Sequence, residues 1–317
     1  VPELPLFFPE QASTSARSVD AITIAALVVS VVFSVLIAVL IVVFAVRYRR
    51  RSPGQAGTRT RDSLALEATW SAIPLGIMLG LYGWGARVYV EVNTPPPDAS
   101  EYFVVGKRWM WKIQHPQGRR EINTLHVPVG TRVRLTMTSE DVIHSFFVPA
   151  FRVKQDVLPG RYSSLWFEPT RTGTYDLFCA EYCGTEHSLM GGEVVVMEPD
   201  AYERWLTAGP ATASMAEDGE SLFRELACHT CHAAGDSARG PSLRGLYGST
   251  VTLAGGRTVV ADDAYLRESI VDPAAKLVAG YEPLMPTYRG QIDEEALMRL
   301  VTYLRELGDG SATETDR

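Results

Sequence analysis

Residues 179–190, Cys-Ala-Glu-Tyr-Cys-Gly-Thr-Glu-His-Ser-Leu-Met, place two thiols, an imidazole, two carboxylates and a thioether within twelve positions. The chain holds four cysteines, and this stretch takes two of them. A disulfide between Cys179 and Cys183 is the ordinary fate of such a pair in an oxidising compartment, but it gives His187 and Met190 no task. Two thiolates, an imidazole and a thioether form the soft donor set that selects copper in electron-transfer sites. A single copper of that kind takes one cysteine, so two suggest a pair of bridged ions, and a pair needs a second imidazole. His144, in Asp-Val-Ile-His-Ser-Phe-Phe-Val-Pro, is the candidate. In a straight strand four residues span about 13 Å. Cys179 and Cys183 therefore share one cluster only if their segment is a tight loop, which Gly184 and the lack of alternation agree with.

The other two cysteines stand in Cys228-His-Thr-Cys231-His232, the pattern of covalent heme c attachment. Two thiols add to the two heme vinyl groups, and the adjacent histidine reaches the iron. A zinc site would want a second ligand pair, which this half of the chain lacks, and a redox Cys-x-x-Cys would not need His232. A methionine is the usual sixth ligand of electron carriers. Met298 falls in a terminal helix, where core packing suffices, and Met215 in a polar linker. Met285, in Tyr-Glu-Pro-Leu-Met-Pro-Thr-Tyr, lies in an irregular loop free to face a heme.

These groups need a frame. No charged residue occurs from Ala21 to Val46, and the run from Leu64 to Val90 holds only Glu67 and Arg87. Neither shows a polar face, and each is long enough for a membrane helix, expected at about 19–46 and 64–90. Arg47, Arg49, Arg50, Arg51, Arg59 and Arg61 lie between them against Asp62 alone. The excess of positive charge keeps this loop cytoplasmic and sends everything after about residue 92 to the other side. The chain starts at Val1 rather than methionine, which is expected to reflect processing.

Beyond Asn93-Thr-Pro-Pro-Pro the pattern is short β-rich runs, such as 131–138, where Val133, Leu135 and Met137 alternate with polar residues. The expected architecture is a two-helix membrane hairpin (1–95), an all-β sandwich or barrel (96–206), a linker (207–216), an all-α domain (217–309) and a tail (310–317).

Cys228-x-x-Cys-His, then Gly-Pro-Ser-Leu-Arg-Gly-Leu-Tyr-Gly at 240–248, then the Met-Pro loop and a final amphipathic helix resemble a class I cytochrome c. Residues from about 20 to 206 resemble subunit II of the heme–copper cytochrome c oxidases, through the His-Ser-Phe block at His144, Lys-Gln-Asp-Val-Leu-Pro-Gly-Arg at 154–161 and the ligand motif at 179–190. The resemblance implies a cupredoxin-like domain carrying a dinuclear CuA centre, bridged by Cys179 and Cys183 and terminated by His144 and His187. Met190 and the Glu181 carbonyl complete it, and the Glu181 side chain helps hold a Mg²⁺ or Mn²⁺ at the interface with the catalytic subunit. It further implies that electrons enter at Trp109, for which interfacial packing is the alternative, and that Glu67 lies at a proton-uptake path, where an acid also suits a membrane interface.

The implied task is to relay electrons from a soluble donor, a cytochrome c or small copper protein, through heme c and CuA to the hemes of an oxygen-reducing subunit I, with a subunit III. The setting is a bacterial plasma membrane with both soluble domains periplasmic, and no nucleic acid is involved. The chain itself has no histidine cluster for reducing oxygen. A nitric oxide reductase subunit and a free-standing tethered carrier are the alternatives. A quinol oxidase subunit would lack the copper ligands.

From 216 to 309 there are fifteen Asp or Glu against nine Lys or Arg. A basic donor should be steered to this domain, and its rate of heme reduction should fall steeply with ionic strength. Stopped-flow reduction across a salt series checks this; a flat profile contradicts it.

Overall fold

In the computed structural model, residues 8–55, 57, 62–208, 214–232 and 238–308 are described. Arg59, Arg61, half of the expected linker (209–213) and the tail lie outside them. Two long helices, α1 (Ala16–Arg47) and α2 (Leu64–Asn93), pass side by side. Their most apolar windows have mean hydropathy 3.3 and 1.5, and none of either window is buried by protein. Side chains such as Ile41, 63 % exposed, therefore need lipid around them. The expected spans fall inside these helices, which run a few residues further at their ends. Glu67 sits exposed in the first turn of α2, behind the Ser63 cap, where a carboxylate suits the positive end of the helix.

The first turns of α1 are fastened to the soluble domain. Arg152 donates from Nε to Asp20 Oδ1 at 2.7 Å and from a terminal nitrogen to Oδ2 at 2.9 Å. The same guanidinium reaches the carbonyls of Pro9 and Pro149, and Gln11 donates to Asp20. Both charges are nearly buried, and every strong contact between them is a paired hydrogen bond.

Ten strands follow: β1 (Ser100–Lys107), β2 (Met110–Gln114), β3 (Arg120–Ile122), β4 (Thr124–Pro128), β5 (Val133–Ser139), β6 (His144–Val148), β7 (Val153–Val157), β8 (Ser163–Phe167), β9 (Gly173–Cys179) and β10 (Gly191–Met197). They form two five-stranded sheets, β3-β2-β1-β5-β8 and β4-β10-β9-β6-β7, packed as a cupredoxin-like sandwich. β1 with β5 and β4 with β10 run parallel; the other pairs are antiparallel. Val133, Leu135 and Met137, the alternating set of β5, are fully buried in the core with Trp111, Phe146 and Leu177.

A short helix, α3 (Pro199–Thr207), closes the sandwich through a polar chain. The Glu121 carboxylate lies 2.6 Å from His115 Nε2 and 2.6 Å from His126 Nδ1. His115 Nδ1 is 2.9 Å from the Tyr202 hydroxyl, which meets that of Tyr102 at 3.1 Å. The tautomer with a proton on His115 Nε2 satisfies the whole chain, with Tyr202 donating to Nδ1. Trp205 stacks on His126 at 4.2 Å and carries the Arg119 guanidinium on its ring.

The last region is helical: α4 (Met215–Glu225), α5 (Asp263–Val271) and α6 (Glu294–Gly308), with a small ribbon of β11 (Thr250–Thr252) and β12 (Thr258–Val260). One expectation needs correction. The linker was placed over 207–216, but helix begins at Met215, because Ser214 and Glu217 form a reciprocal capping box. Met215 is 2 % exposed and belongs to a packed surface.

Burial pushes the Glu121 carboxyl up, yet the bonds from His115 and His126 outweigh it and hold it at about 2. The folded state thus binds this proton less tightly than the unfolded chain. The stabilisation, about 2–3 kcal/mol, is complete above the ordinary value of 4.5 and is lost as pH falls toward about 2. In unfolding experiments Glu121→Gln should be less stable than the parent at pH 7, with the gap closing through this window; a constant gap contradicts the assignment.

Candidate metal and heme centres

β6 and β9 deliver the first two donors from neighbouring positions. His144 opens β6, Cys179 closes β9, and the two strands pair at Phe146 and Cys179. Beyond Cys179 the chain leaves the sheet and returns as β10. The loop is pinned where it leaves: the Cys179 amide donates to the Met190 carbonyl at 3.0 Å and the Ala180 amide to the Ser145 carbonyl at 3.0 Å. Gly184, at φ +125°, makes a bend that side chains resist. The loop is as tight as a shared cluster requires.

All six sequence-derived positions converge. The Sγ atoms of Cys179 and Cys183 are 3.8 Å apart, too far for a disulfide, and both cysteines are free and buried. His144 Nδ1 lies 3.9 Å from Cys179 Sγ, and His187 Nδ1 lies 3.5 Å from Cys183 Sγ. Met190 Sδ is 3.7 Å from Cys183 Sγ, and the Glu181 carbonyl is 3.3 Å from Cys179 Sγ. Among the described residues, His144, Cys179 and Cys183 are the group of His, Cys or acidic ligand atoms found within 4.8 Å of one another. Two sulfurs between two imidazole nitrogens, with a thioether and a carbonyl at the flanks, fit a bridged copper pair. Glu181 is exposed, and among the described residues it forms no such group of its own.

Three further residues support these positions. Asp141 accepts from the Arg108 amide at 2.9 Å and lies 2.9 Å from His144 Nε2, which fixes the ring with Nδ1 toward the sulfurs. Burial raises the Asp141 carboxyl, but the Arg108, His144 and Val142 donors bring it down to about 2. Trp111 stands edge-on to His144, 5.8 Å between centroids, and Gly106 faces both. A Cβ on Gly106 would lie 2.9 Å from the His144 ring and 3.2 Å from Trp111. An acid three residues before a candidate ligand was the available clue to Asp141.

The two thiols differ in character. Burial raises both, but at Cys179 bonds from His144 and the Glu181 and Ser145 backbone prevail and lower it, whereas at Cys183 the charge on Cys179 adds to burial and raises it. Trp109 is half-buried over this loop, its ring 3.4 Å from where a Gly184 Cβ would stand, and its indole N–H has no hydrogen-bond partner among the described residues. Tyr182 and Leu189, each 75 % exposed, rim the loop as an apolar surface.

The second centre is a cavity of about 350 Å³ in the helical region. Cys228, Cys231, His232 and Met285 all line it, with Tyr288, Leu300 and Leu304. His232 Nδ1 is 2.9 Å from the Pro241 carbonyl, so this nitrogen donates and Nε2 stays free as a ligand. Gly240 packs flat on that imidazole, where a Cβ would stand 2.8 Å from the ring. A covalently held heme fits this donor set. Met298 and Met215 lie outside the cavity lining, leaving Met285 as its thioether.

A cupredoxin-like sandwich and a cytochrome c region behind two membrane helices define a membrane-bound electron-transport protein. Residues 3–83 match the family described as cytochrome c oxidase subunit II, transmembrane domain, and 120–198 that of its periplasmic domain. Residues 214–304 match cytochrome c oxidase, cbb3-type, subunit III. Cytochrome c oxidase subunit 2 of Alkalihalophilus pseudofirmus is 30 % identical over 274 residues, covering 81 % of this chain and 78 % of that one. The protein of the same name from Thermostichus vulcanus is 30 % identical over 260 residues, covering 65 % and 79 %. The crystal structure of the periplasmic domain of subunit II from Bradyrhizobium japonicum is 30 % identical, with TM-score 0.35 over 36 % of this chain and 96 % of that one. The chain belongs to the cytochrome c oxidase subunit 2 family and carries a cytochrome c domain at its C-terminal end.

Gly106→Ala should displace the His144 ring, lowering copper content and costing roughly 1–3 kcal/mol of stability. Gly240→Ala should act on His232 and lower heme incorporation while sparing copper. Metal analysis and heme staining of the purified chains check both; full loading in either contradicts the packing described.

Proposed function

We propose that this chain receives electrons from a soluble donor and hands them to the catalytic subunit of an oxygen-reducing heme–copper oxidase. The observation that carries this reading is the convergence of Cys179, Cys183, His144, His187, Met190 and the Glu181 carbonyl, unlinked by a disulfide. In this reading Cys179, Cys183, His144, His187, Met190 and the Glu181 carbonyl would hold a copper pair, and Cys228, Cys231, His232 and Met285 would hold heme c. When bound, the copper pair and the heme each supply reversible one-electron chemistry at neutral pH.

The chain's own contribution is rigidity and placement. Strand-borne ligands, with Asp141 behind His144, keep the donor positions fixed, so little rearranges when charge changes. Burial of both sulfurs excludes water and competing oxidants. The Arg152–Asp20 clamp fixes the sandwich to the outer end of α1 and so sets the height of the site above the bilayer. The proposed domains are the hairpin to 95, the copper domain 96–206 and the cytochrome domain from 215 to 309, with the plasma membrane as the setting. Joining the cytochrome to its acceptor in one chain keeps it at high local concentration and removes a diffusive step.

The exposed rim of Tyr182 and Leu189 is the proposed contact for subunit I, with subunit III beyond it. There the Glu181 carboxylate would share a Mg²⁺ or Mn²⁺ with the partner. Trp109 is proposed as the point where electrons enter the sandwich, and Glu67 as the mouth of a proton path. The donor is a cytochrome c or small copper protein. The relatives named above are oxidase subunits, which favours oxygen over nitric oxide as the terminal acceptor.

A complex isolated through this chain should contain additional hemes and consume oxygen from a reduced donor. Met285→Ala should keep its covalent heme but lower its potential and slow turnover. Isolation of the chain without further hemes, or consumption of nitric oxide instead of oxygen, contradicts the proposal.

A further inference from the structure

Phe103 and Val105 project from the outer face of β1, away from the sandwich core, yet are only 6 % and 3 % exposed. They are covered by Met215 of α4 and Met298 of α6, with Tyr162 beside them. The two methionines are thus not surplus heme ligands but the face by which the cytochrome region lies on the copper-bearing sandwich. Among the described residues four ion pairs cross the same boundary: Arg305 to Glu101 at 3.1 Å, Arg120 to Asp218 at 2.5 Å, Arg120 to Glu295 at 3.6 Å and Lys112 to Glu295 at 3.8 Å.

The geometry on either side of this contact is economical. On α6, Leu300 and Leu304 line the heme cavity. Met298, two residues before Leu300, is about 200° away around the helix and faces β1. On β1, Val105 points outward and the next residue, Gly106, points inward. Having no side chain, Gly106 lets the His144 imidazole come within van der Waals contact of the strand backbone, 2.9 Å from where a Cβ would stand. One helix and one strand therefore separate the heme cavity from a copper ligand. No water-filled gap is needed between them, and electron tunnelling is faster through packed, bonded atoms than across open space.

We infer that this contact is the docked state for electron transfer within the chain: a heme held by Cys228, Cys231, His232 and Met285 would pass an electron across α6 at Met298 and through Val105 and Gly106 of β1 to His144. The inference rests on the relay proposed above. Its balance is simple: the reduced heme iron loses one electron, the oxidised copper pair gains one, and no proton or bond changes hands. The small apolar patch with its rim of ion pairs also makes the contact separable by salt.

The test uses the full chain, loaded with heme and copper and held in detergent. A water-soluble carbodiimide should join Lys112 to Glu295 as an amide, identified by peptide mass spectrometry. Heme-to-copper transfer after photoreduction should then proceed at the unmodified rate and lose its dependence on salt. Val105→Asp puts a carboxylate against Met298, so cross-link yield and transfer rate should both fall roughly tenfold or more, with heme and copper content unchanged. Slower transfer in the cross-linked chain, or parental rates in Val105→Asp despite loss of the cross-link, overturns the route while leaving the relay intact. A chain without mixed-valence copper absorption overturns the relay and the route with it.

Discussion

Two buried thiols are held 3.8 Å apart in a domain on the side of the membrane where thiols ordinarily pair. Keeping them close without letting them bond is a geometric problem, and the sandwich solves it with backbone. Cys179 ends a strand, so its position is set by the β9 ladder with β6 and β10. Cys183 sits in a loop whose departure is fixed by the amides of Cys179 and Ala180. The thiols then face a common space that also receives His144, His187 and Met190. If that space holds a metal pair, the sulfurs are occupied as ligands and protected from oxidation.

The surrounding residues follow from the same constraint. An imidazole able to bind a metal must present one nitrogen and be held by the other, and Asp141 stands in that relation to His144 and the Pro241 carbonyl to His232. Both imidazoles also lie on glycine, at Gly106 and Gly240, because a side chain at either position would occupy the ring's place. The two centres belong to unrelated folds, yet each fixes its histidine by one acceptor behind and one glycine beneath.

Much of this was legible in the chain. The membrane helices announced themselves by uncharged length, and the candidate site residues by the rarity and grouping of cysteine, histidine and methionine. The period-2 pattern at Val133, Leu135 and Met137 located the face that became the core. What stayed hidden is what depends on distant pairing. Nothing local to Gly106 says that His144, thirty-eight residues on, will rest against it. Glu121, His115 and His126 read as scattered polar residues until α3 brings Tyr202 and Trp205 over them. Met215 and Met298 read as linker and core because an interface between two regions of one chain has no periodicity of its own. The capping box at Ser214, like Asp141 three residues before His144, is written locally.

The account stands on the paired-metal reading of residues 144–190. Electron paramagnetic resonance of the full chain, purified without chelator and oxidised mildly, tests it most directly. One unpaired electron shared equally by two copper nuclei, with two coppers per chain by metal analysis, is the predicted result. A spectrum from one copper nucleus, or a chain whose Cys179 and Cys183 are recovered as a disulfide, would contradict it.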